Sequence, residues 1–212
     1  MTMRVIIADD HPTVRAGVRL LLEGLQLHVA AEADSPDSLF VALEQAACDL
    51  LITDFSMPGG QEADGLALLQ RIRSERPALP IVVLTMLGNV GVHGSILDIG
   101  VQGLVDKGAG MTEISFAIRA VEQGRSFVSA SFKERLMQRR FSAGSGAAAR
   151  LSPREIEVMR LFASGMTVSA IAQRLARSIK TVSGQKIDAM GKLGLQSDLD
   201  IYVYAREHGL AP

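Results

Sequence analysis

The stretches that decide the fold are VIIADD at residues 5–10 and LLITD at residues 50–54. Each is a short apolar run that ends in carboxylates, Asp9 and Asp10 in the first stretch and Asp54 in the second. Apolar runs of this length between helical segments are typical of strands buried on both faces of a parallel sheet. The two stretches therefore predict buried strands with acidic carboxyl ends.

Outward from these stretches, apolar runs alternate with segments of helical periodicity. Strands are predicted in RVIIA, LHVAAEA, LLIT, IVVLT and GLV, and helices at residues 12–23, 35–47, 65–76, 90–98 and 112–123. Strict alternation implies right-handed crossovers, which place helices on both faces of a parallel sheet. The first part of the chain is therefore predicted to be an α/β domain with a doubly wound, five-stranded parallel sheet.

Charge is divided unevenly along the chain, although the net charge of the 212 residues is -1. Residues 1–124 carry 16 acidic and 8 basic side chains, and residues 125–212 carry 7 and 14, so the two parts are at -8 and +7. This asymmetry is typical of nucleic-acid binding at the basic end and of cation or protein binding at the acidic end. A chance distribution of surface charge is the alternative.

No stretch of the sequence reaches the ~18 apolar residues that are needed to cross a bilayer. The first residues, MTMRVIIADD, reach carboxylates after only a few apolar side chains. We therefore expect a cytoplasmic protein with no membrane partner.

Three segments are predicted along the chain: a domain at 1–124, a linker at 125–149 and a second domain at 150–212. The linker ends in the small and flexible tract SAGSGAAA, and its middle is compatible with a short helix. The second domain opens with LSPRE, a capping box in which Ser152 is the N-cap and Glu155 follows three residues later. Further helices are predicted at 168–175, 179–193 and 198–208, which makes this domain all-α with four helices.

The carboxylates Asp9, Asp10 and Asp54 end the first and third predicted strands. Ligands of such sheets bind beyond the carboxyl ends of the strands, so we expect the three side chains in one shallow acidic pocket. Like charges this close need a cation, and Mg²⁺ fits because it prefers oxygen ligands and usually keeps several waters. Asp54 is then expected to be a nucleophile that attacks a phosphoryl group.

Two residues at later strand ends fit the same chemistry. Thr85 follows IVVL and offers a hydroxyl donor to the phosphoryl group, and Lys107 follows GLVD and offers a point cation to the same oxygens. A single aspartate after a strand is usually a helix cap and a single lysine is usually solvated, so a coincidental set of caps is the alternative. Four strand ends that supply acidic, hydroxyl and ammonium groups together favour a phosphoryl site.

The motifs IIADDHP, LLITDFSMPG, IVVLTM and GLVDKGA resemble the receiver domain of two-component response regulators over residues 4 to 122. The resemblance implies a flavodoxin-like fold and a phosphoacceptor, Asp54, for a cognate histidine kinase or histidine phosphotransfer protein. It also implies Mg²⁺ bound by Asp9, Asp10, Asp54 and the backbone carbonyl of Ser56, with Thr85 and Lys107 as the signalling pair.

Two positions depart from the pattern of that family. Leu104 stands three residues before Lys107, where many receivers carry a Tyr or Phe that moves with Thr85. Met86 follows Thr85 directly, where a small residue is usual, and its bulk is expected to crowd the phosphoryl pocket. The aromatic switch is therefore absent, and slow exchange with small phosphodonors is expected.

The helix predicted at 179–193 has one apolar stripe, made of Val182, Ala189 and Leu193, which is expected to meet the core. The remaining faces and the N-cap are expected to contact DNA through Ser178, Lys180, Thr181, Ser183, Gly184, Lys186 and Ile187. Lys192 is expected to add a contact to the DNA backbone. Composition alone leaves open that this is only an amphipathic helix of a small bundle.

The segment LSPREIEVMRLFASGMTVSAIAQRLARSIKTVSGQKIDAMGKLGL resembles the LuxR-type helix-turn-helix of the NarL/FixJ class over residues 151 to 208. The resemblance implies DNA as a partner and a homodimer contact on the last helix, whose apolar residues otherwise serve core packing. RNA polymerase and an auxiliary regulator that forms a heterodimer are further expected partners.

These expectations combine into a transcription regulator whose binding to DNA is controlled by phosphorylation of Asp54. It is not expected to be a turnover enzyme. An aspartate-based phosphatase or phosphotransferase is one rival, but the sequence shows no second acid-base group for it near Asp54. The other rival is a module that depends on an auxiliary DNA-binding partner and works partly without phosphorylation.

Overall fold

A computed structural model of the chain describes residues 2–58, 61–142 and 151–210. The chain forms two compact units. The first is made of Met1–Met86 and Ile96–Ser131, and the second of Leu87–Ser95 and Phe132–Pro212. The predicted flexible tract SAGSGAAA lies, after its first residue, outside the described residues.

A parallel sheet forms the centre of the first unit. Its strands are β1 (Arg4–Ala8), β2 (His28–Ala33), β3 (Leu50–Asp54), β4 (Ile81–Thr85), β5 (Gly103–Asp106) and β6 (Phe127–Val128), in the spatial order β2-β1-β3-β4-β5-β6. Every residue of β3 and β4 is buried, as expected for strands covered on both faces. The predicted doubly wound α/β fold is confirmed.

Helices alternate with these strands. They are α1 (Pro12–Gly24), α2 (Pro36–Gln45), α3 (Gly65–Glu75), α4 (Val90–Asp98) and α5 (Met111–Glu122), and a short 3-10 turn at Lys107–Ala109 follows β5. Ser35 caps α2 through a capping box with Ser38, and proline stands in the first turn of α1 and of α2. The predicted positions of the five helices are correct within a few residues.

The predicted number of five strands is wrong, because the sheet has a sixth. Phe127 and Val128 pair in parallel with Gly103 and Leu104, at the free edge of β5. Two residues are too few to show strand periodicity, so the pairing is visible only in three dimensions. The next helix, α6 (Ala130–Ser142), begins two residues after β6, inside the segment that the sequence assigns to a linker.

Four helices follow in the second unit: α7 (Pro153–Ala163), α8 (Val168–Arg174), α9 (Ile179–Leu193) and α10 (Asp198–Glu207). The capping box between Ser152 and Glu155 is present as predicted. Helix α9 begins after Ser178, whose side chain accepts from the backbone N–H of Thr181. It ends at Gly194, which adopts the left-handed conformation (φ 70°) that favours glycine. No helix in the described part of the chain is both long and apolar enough to cross a bilayer.

Candidate functional site

The predicted acidic cluster forms at the carboxyl edge of the sheet. β1 and β3 are neighbours in parallel register, so Asp9 and Asp54 reach the same edge. Ligand atoms of Asp9, Asp10, His11 and Asp54 all lie within 4.8 Å of one another. Asp9 is fully buried and Asp54 nearly so. Strand adjacency therefore brings together the three carboxylates that the sequence predicted.

Lys107 lies between the two buried carboxylates. Its Nζ is 2.7 Å from Oδ2 of Asp54 and 2.7 Å from Oδ2 of Asp9. The contact with Asp9 is an ion pair whose angles fall outside those of a hydrogen bond. The β4–β5 register pairs Thr85 with Asp106, which places both Thr85 and Lys107 at this edge of the sheet. The predicted lysine is thus in direct contact with the predicted nucleophile.

The environment changes the acidity of both partners. Burial raises the pKa of Asp54 from 3.8 to about 6, although the charge of Lys107 opposes the change. Burial lowers the pKa of Lys107, but the short, attractive contacts of its ammonium with the carboxylates of Asp54 and Asp9 outweigh this, so its pKa is raised. The ammonium is therefore held in its charged form beside a carboxylate that ionises near neutrality.

We expect the ionised Asp54 carboxylate to cost stability in metal-free buffer. With a pKa of about 6 in the folded protein against 3.8 as the reference, the folded protein binds more protons between these values, and its stability falls as pH rises through that window. The cost is at most about 3 kcal/mol. In denaturation experiments in EDTA, the free energy of unfolding of Asp54→Asn should exceed that of wild type. The difference should grow with pH and level off above about pH 6. A difference that does not change with pH would contradict this assignment.

The donors at this edge fit Mg²⁺. Carboxylate oxygens are the ligands that Mg²⁺ prefers, and buried Asp9 and Asp54 share the ammonium of Lys107. The backbone N–H of Ser56 donates to Oδ1 of Asp54 at 3.3 Å. Ser56, whose backbone carbonyl is an expected Mg²⁺ ligand, therefore lies next to the cluster. His11 Nδ1 lies 2.7 Å from Oδ1 of Asp10 and is paired within the cluster. An imidazole is a poor ligand for a hard cation, which favours the oxygen donors.

The two departures from the family pattern have different outcomes. Leu104 is fully buried in β5, so it belongs to the sheet core. Met86 is 67% exposed whereas Thr85 is buried, and the expected crowding of the phosphoryl pocket by Met86 stays a prediction.

The predicted recognition helix is α9. Val182 and Ala189 are fully buried and Leu193 is half-buried, as the stripe predicted. Lys180, Thr181 and Ile187 are exposed, together with the N-cap Ser178, and Ser183 and Gly184 are half-buried. A Cβ added at Gly184 would meet nothing within 4 Å, so close packing inside the protein does not require glycine there.

Two lysines of α9 are engaged inside the second unit. Nζ of Lys186 lies 2.5 Å from Oδ1 of Asp198 and 3.9 Å from the centre of the Phe162 ring. Lys192 donates to both carboxylate oxygens of Glu155 at 2.7 and 2.8 Å. The structure therefore places both side chains against neighbouring helices, and Lys180 is the exposed lysine near the start of α9.

Helix α10 carries apolar side chains on its outer face. Leu199, Tyr202 and Val203 are exposed, and they stand three and four residues apart, so they lie on one side of the helix. Ile201 and Ala205 are fully buried and supply the packing of α10 onto its own unit. The ring of Tyr202 also lies 5.8 Å from that of Phe162, centre to centre, so Leu199 and Val203 are the exposed residues that core packing does not require.

Comparison with known proteins matches both parts of the chain. The response regulator receiver domain matches residues 5–119, and the bacterial regulatory proteins of the luxR family match residues 149–205. The chain is 41% identical over 211 residues to the transcriptional regulatory protein RcsB of Escherichia coli K12, covering 99% of this chain and 97% of that protein. The chain belongs to the response regulator family. It is an RcsB-like DNA-binding transcription regulator.

Solved structures of RcsB are similar over the full length of this response regulator. RcsB from Salmonella enterica serovar Typhimurium, bound to promoter P1flhDC with the phosphomimetic BeF3⁻, is 40% identical with a TM-score of 0.84, covering 98% of this chain and 100% of that one. A structure of two RcsB dimers bound to two parallel DNAs is 40% identical with a TM-score of 0.65, covering 97% and 98%. The motifs SIKT (178–181) and LITDFSMPG (51–59) already favour RcsB within the NarL/FixJ class, and that prediction is confirmed.

Sequence reasoning on this regulator missed a group of residues around β6. Ser129 accepts from the backbone N–H of Asp106 at 2.8 Å, and Ser131 donates to the Asp106 carboxylate at 2.8 Å. It also missed buried His93 in α4. Neither the serines nor the histidine belongs to a motif, and their partners are far away in the sequence. The sequence offers one signal for these residues, which is the single histidine, His93, among the apolar residues of α4.

Proposed function

We propose that this response regulator accepts a phosphoryl group on Asp54 and thereby changes its binding to DNA. The observation that carries the proposal is the contact between Asp54 and Lys107, next to buried Asp9 at the carboxyl edge of the sheet. Intact-mass spectrometry after incubation with acetyl phosphate and Mg²⁺ tests it. The proposal requires one phosphoryl adduct, and that adduct must map to Asp54.

The reaction is a transfer of the phosphoryl group to a carboxylate. An oxygen of Asp54 attacks phosphorus, the bond between phosphorus and the donor's histidine nitrogen breaks, and the leaving imidazole keeps the electron pair. Lys107 stabilises negative charge on the phosphoryl oxygens, and the hydroxyl of Thr85 donates to one of them. The donor is a cognate histidine kinase or a histidine phosphotransfer protein.

Asp9, Asp10, Asp54 and the backbone carbonyl of Ser56 are the residues that would hold Mg²⁺. Once bound, the ion neutralises charge on the phosphoryl group. The buried carboxylates supply the oxygen donors, and Lys107 alone leaves the cluster with excess negative charge. Acceptance of a phosphoryl group on Asp54 is the reaction proposed for this chain. We therefore propose that it is a regulator and not a turnover enzyme.

We propose that residues 1–124 accept the phosphoryl group, that residues 125–149 connect the two domains, and that residues 150–212 bind DNA. In the last segment, α9 enters the major groove and its exposed face reads bases. RcsB is bound to promoter DNA in a similar structure, which supports DNA as the partner here. We propose a cytoplasmic location and contacts with RNA polymerase. The comparisons do not favour dependence on an auxiliary regulator.

Two substitutions on α9 should weaken DNA binding in different ways. Ile187 is exposed and apolar, so Ile187→Ala should relax discrimination at one base pair, by about 1 kcal/mol, through loss of a contact with a thymine methyl. Lys180→Ala should weaken binding to all sequences and lower the salt slope by about 1. Titrations on specific and random duplexes at several salt concentrations measure both. Equal losses on both duplexes for Ile187→Ala would refute base reading.

We also propose that the exposed face of α10 forms a homodimer contact on DNA. RcsB dimers on DNA in a similar structure support a dimer of this chain. Leu199 is 70% exposed, so Leu199→Glu leaves the monomer folded and places charges in the contact. Affinity for DNA with two half-sites about one helical turn apart should fall roughly tenfold or more.

Leu20→Glu is the matched control for that substitution, because Leu20 on α1 is 68% exposed and lies in the first unit. Binding to a duplex with a single half-site should be the same for wild type and Leu199→Glu. An equal loss on one and two half-sites would show that Leu199 acts on DNA contact or folding, not on the dimer.

A further inference from the structure

The loop after β4 is connected to the start of α6 through a buried histidine. His93 Nε2 donates to the carbonyl of Leu87 at 2.7 Å, and Leu87 stands two residues beyond Thr85. The ring of His93 lies 4.0 Å from that of Phe132, centre to centre, at an interplanar angle of 37°. His93 is fully buried and Phe132 nearly so. Because the carbonyl is an acceptor, Nε2 must carry the proton.

The end of β5 is connected to the same turn of α6 through hydrogen bonds. Asp106 directly precedes Lys107, and its carboxylate accepts from the hydroxyl of Ser131 at 2.8 Å. The backbone N–H of Asp106 donates to Ser129 at 2.8 Å, and Ser129 in turn donates to Glu113 of α5. These contacts hold the first turn of α6 to the residue next to the phosphoryl-binding lysine.

The two connections end on consecutive residues. Ser131 and Phe132 both belong to the first turn of α6 (Ala130–Ser142), one bonded to Asp106 and the other packed on His93. A change at the end of β4 or of β5 therefore acts on the same helical turn. In the order of the chain, this turn follows the strands that carry the phosphoryl site and precedes the DNA-binding helices, which begin with α7.

We propose that the first turn of α6 receives the phosphorylation signal from both strand ends, with His93 and Asp106 as positioning residues that act through Phe132 and Ser131. The inference rests on the proposed function, since it takes Thr85 and Lys107 as the residues that sense the phosphoryl group. A signal of this kind is a difference in stability between two states of the chain. Loss of either connection should reduce that difference without altering the chemistry at Asp54.

The test uses the full chain with the substitutions His93→Leu, Ser131→Ala and both together. Two quantities are measured with and without BeF3⁻ and Mg²⁺: the self-association constant and the affinity for a duplex carrying promoter P1flhDC. In each variant the response to BeF3⁻ should shrink by roughly 2- to 30-fold. The rate of labelling by acetyl phosphate should stay at the wild-type value.

Two further variants separate positioning from general packing. His93→Gln retains an amide donor for the carbonyl of Leu87, so it should restore more of the response than His93→Leu. Ser115→Ala is the matched control for Ser131→Ala, because Ser115 donates to the carbonyl of Thr112 within α5. It should leave the response unchanged.

The outcomes distinguish this inference from the proposed function. A wild-type response to BeF3⁻ that persists at full size in the folded double variant overturns the inference alone. Should His93→Leu not fold, a full response in Ser131→Ala overturns the role of the β5 connection and with it the proposal. A wild-type chain that binds DNA but responds to BeF3⁻ in neither measurement overturns the proposed function and the inference together.

Discussion

Asp54→Asn will abolish phosphoryl labelling by acetyl phosphate or by a histidine phosphotransfer protein. The amide has no ionised oxygen to attack phosphorus, so the labelling rate should fall by more than about a hundredfold. The substitution is nearly isosteric and removes a carboxylate whose pKa burial raises to about 6, so the fold should be retained. The increase in DNA affinity on phosphorylation, about 5- to 150-fold for a typical coupling, should disappear with it.

The measurement is intact-mass spectrometry followed by mapping of the adduct. Asp34→Asn is the matched control, because Asp34 also follows a strand, β2, but is exposed and accepts hydrogen bonds from the hydroxyls of Ser35 and Ser38. It should label at the wild-type rate. EDTA should suppress labelling of wild type and of this control alike. Labelling of Asp54→Asn at the wild-type rate would show that another residue is the phosphoacceptor.

Lys107→Ala should have the largest effect on stability. It leaves Asp9 and Asp54 buried with no ammonium between them, and breaking a buried pair in this way costs about 3 to 5 kcal/mol. In EDTA the free energy of unfolding should fall by that amount at neutral pH. Mg²⁺ should recover part of the loss, because a bound cation stabilises the folded state by mass action.

Urea denaturation with and without Mg²⁺ checks this expectation. Arg4→Ala is the control within the same unit, because Arg4 pairs with Asp49 on a surface where both side chains are about 40% exposed. Exposed pairs contribute about 0 to 1 kcal/mol. If Lys107→Ala in EDTA costs no more than Arg4→Ala, the carboxylates are not held by that lysine.

Much of the fold and of the candidate phosphoryl site is visible in the sequence, for one physical reason. Buried parallel strands are short apolar runs, and their carboxyl ends meet at one edge of the sheet. The residues that follow such runs, Asp9, Asp54 and Lys107, therefore come together although they are far apart in the chain. The spacing within each run places the end of each strand to within a residue.

Features that depend on packing between elements are not visible in the same way. A helical wheel places Lys186 beside the apolar stripe of α9, but its partners Asp198 and Phe162 belong to two other helices. β6 lacks periodicity because it has two residues, and it forms because an edge of β5 is available.

That small strand decides where the chain can be divided for biochemical work. A fragment that stops at residue 124 would lack β6 and would leave the row of N–H and C=O groups along Gly103 and Leu104 open to solvent. Open strand edges pair with other chains, so such a fragment is prone to self-aggregation. A fragment that extends through Ser131 keeps this edge covered and is the better starting point for isolating the receiver domain.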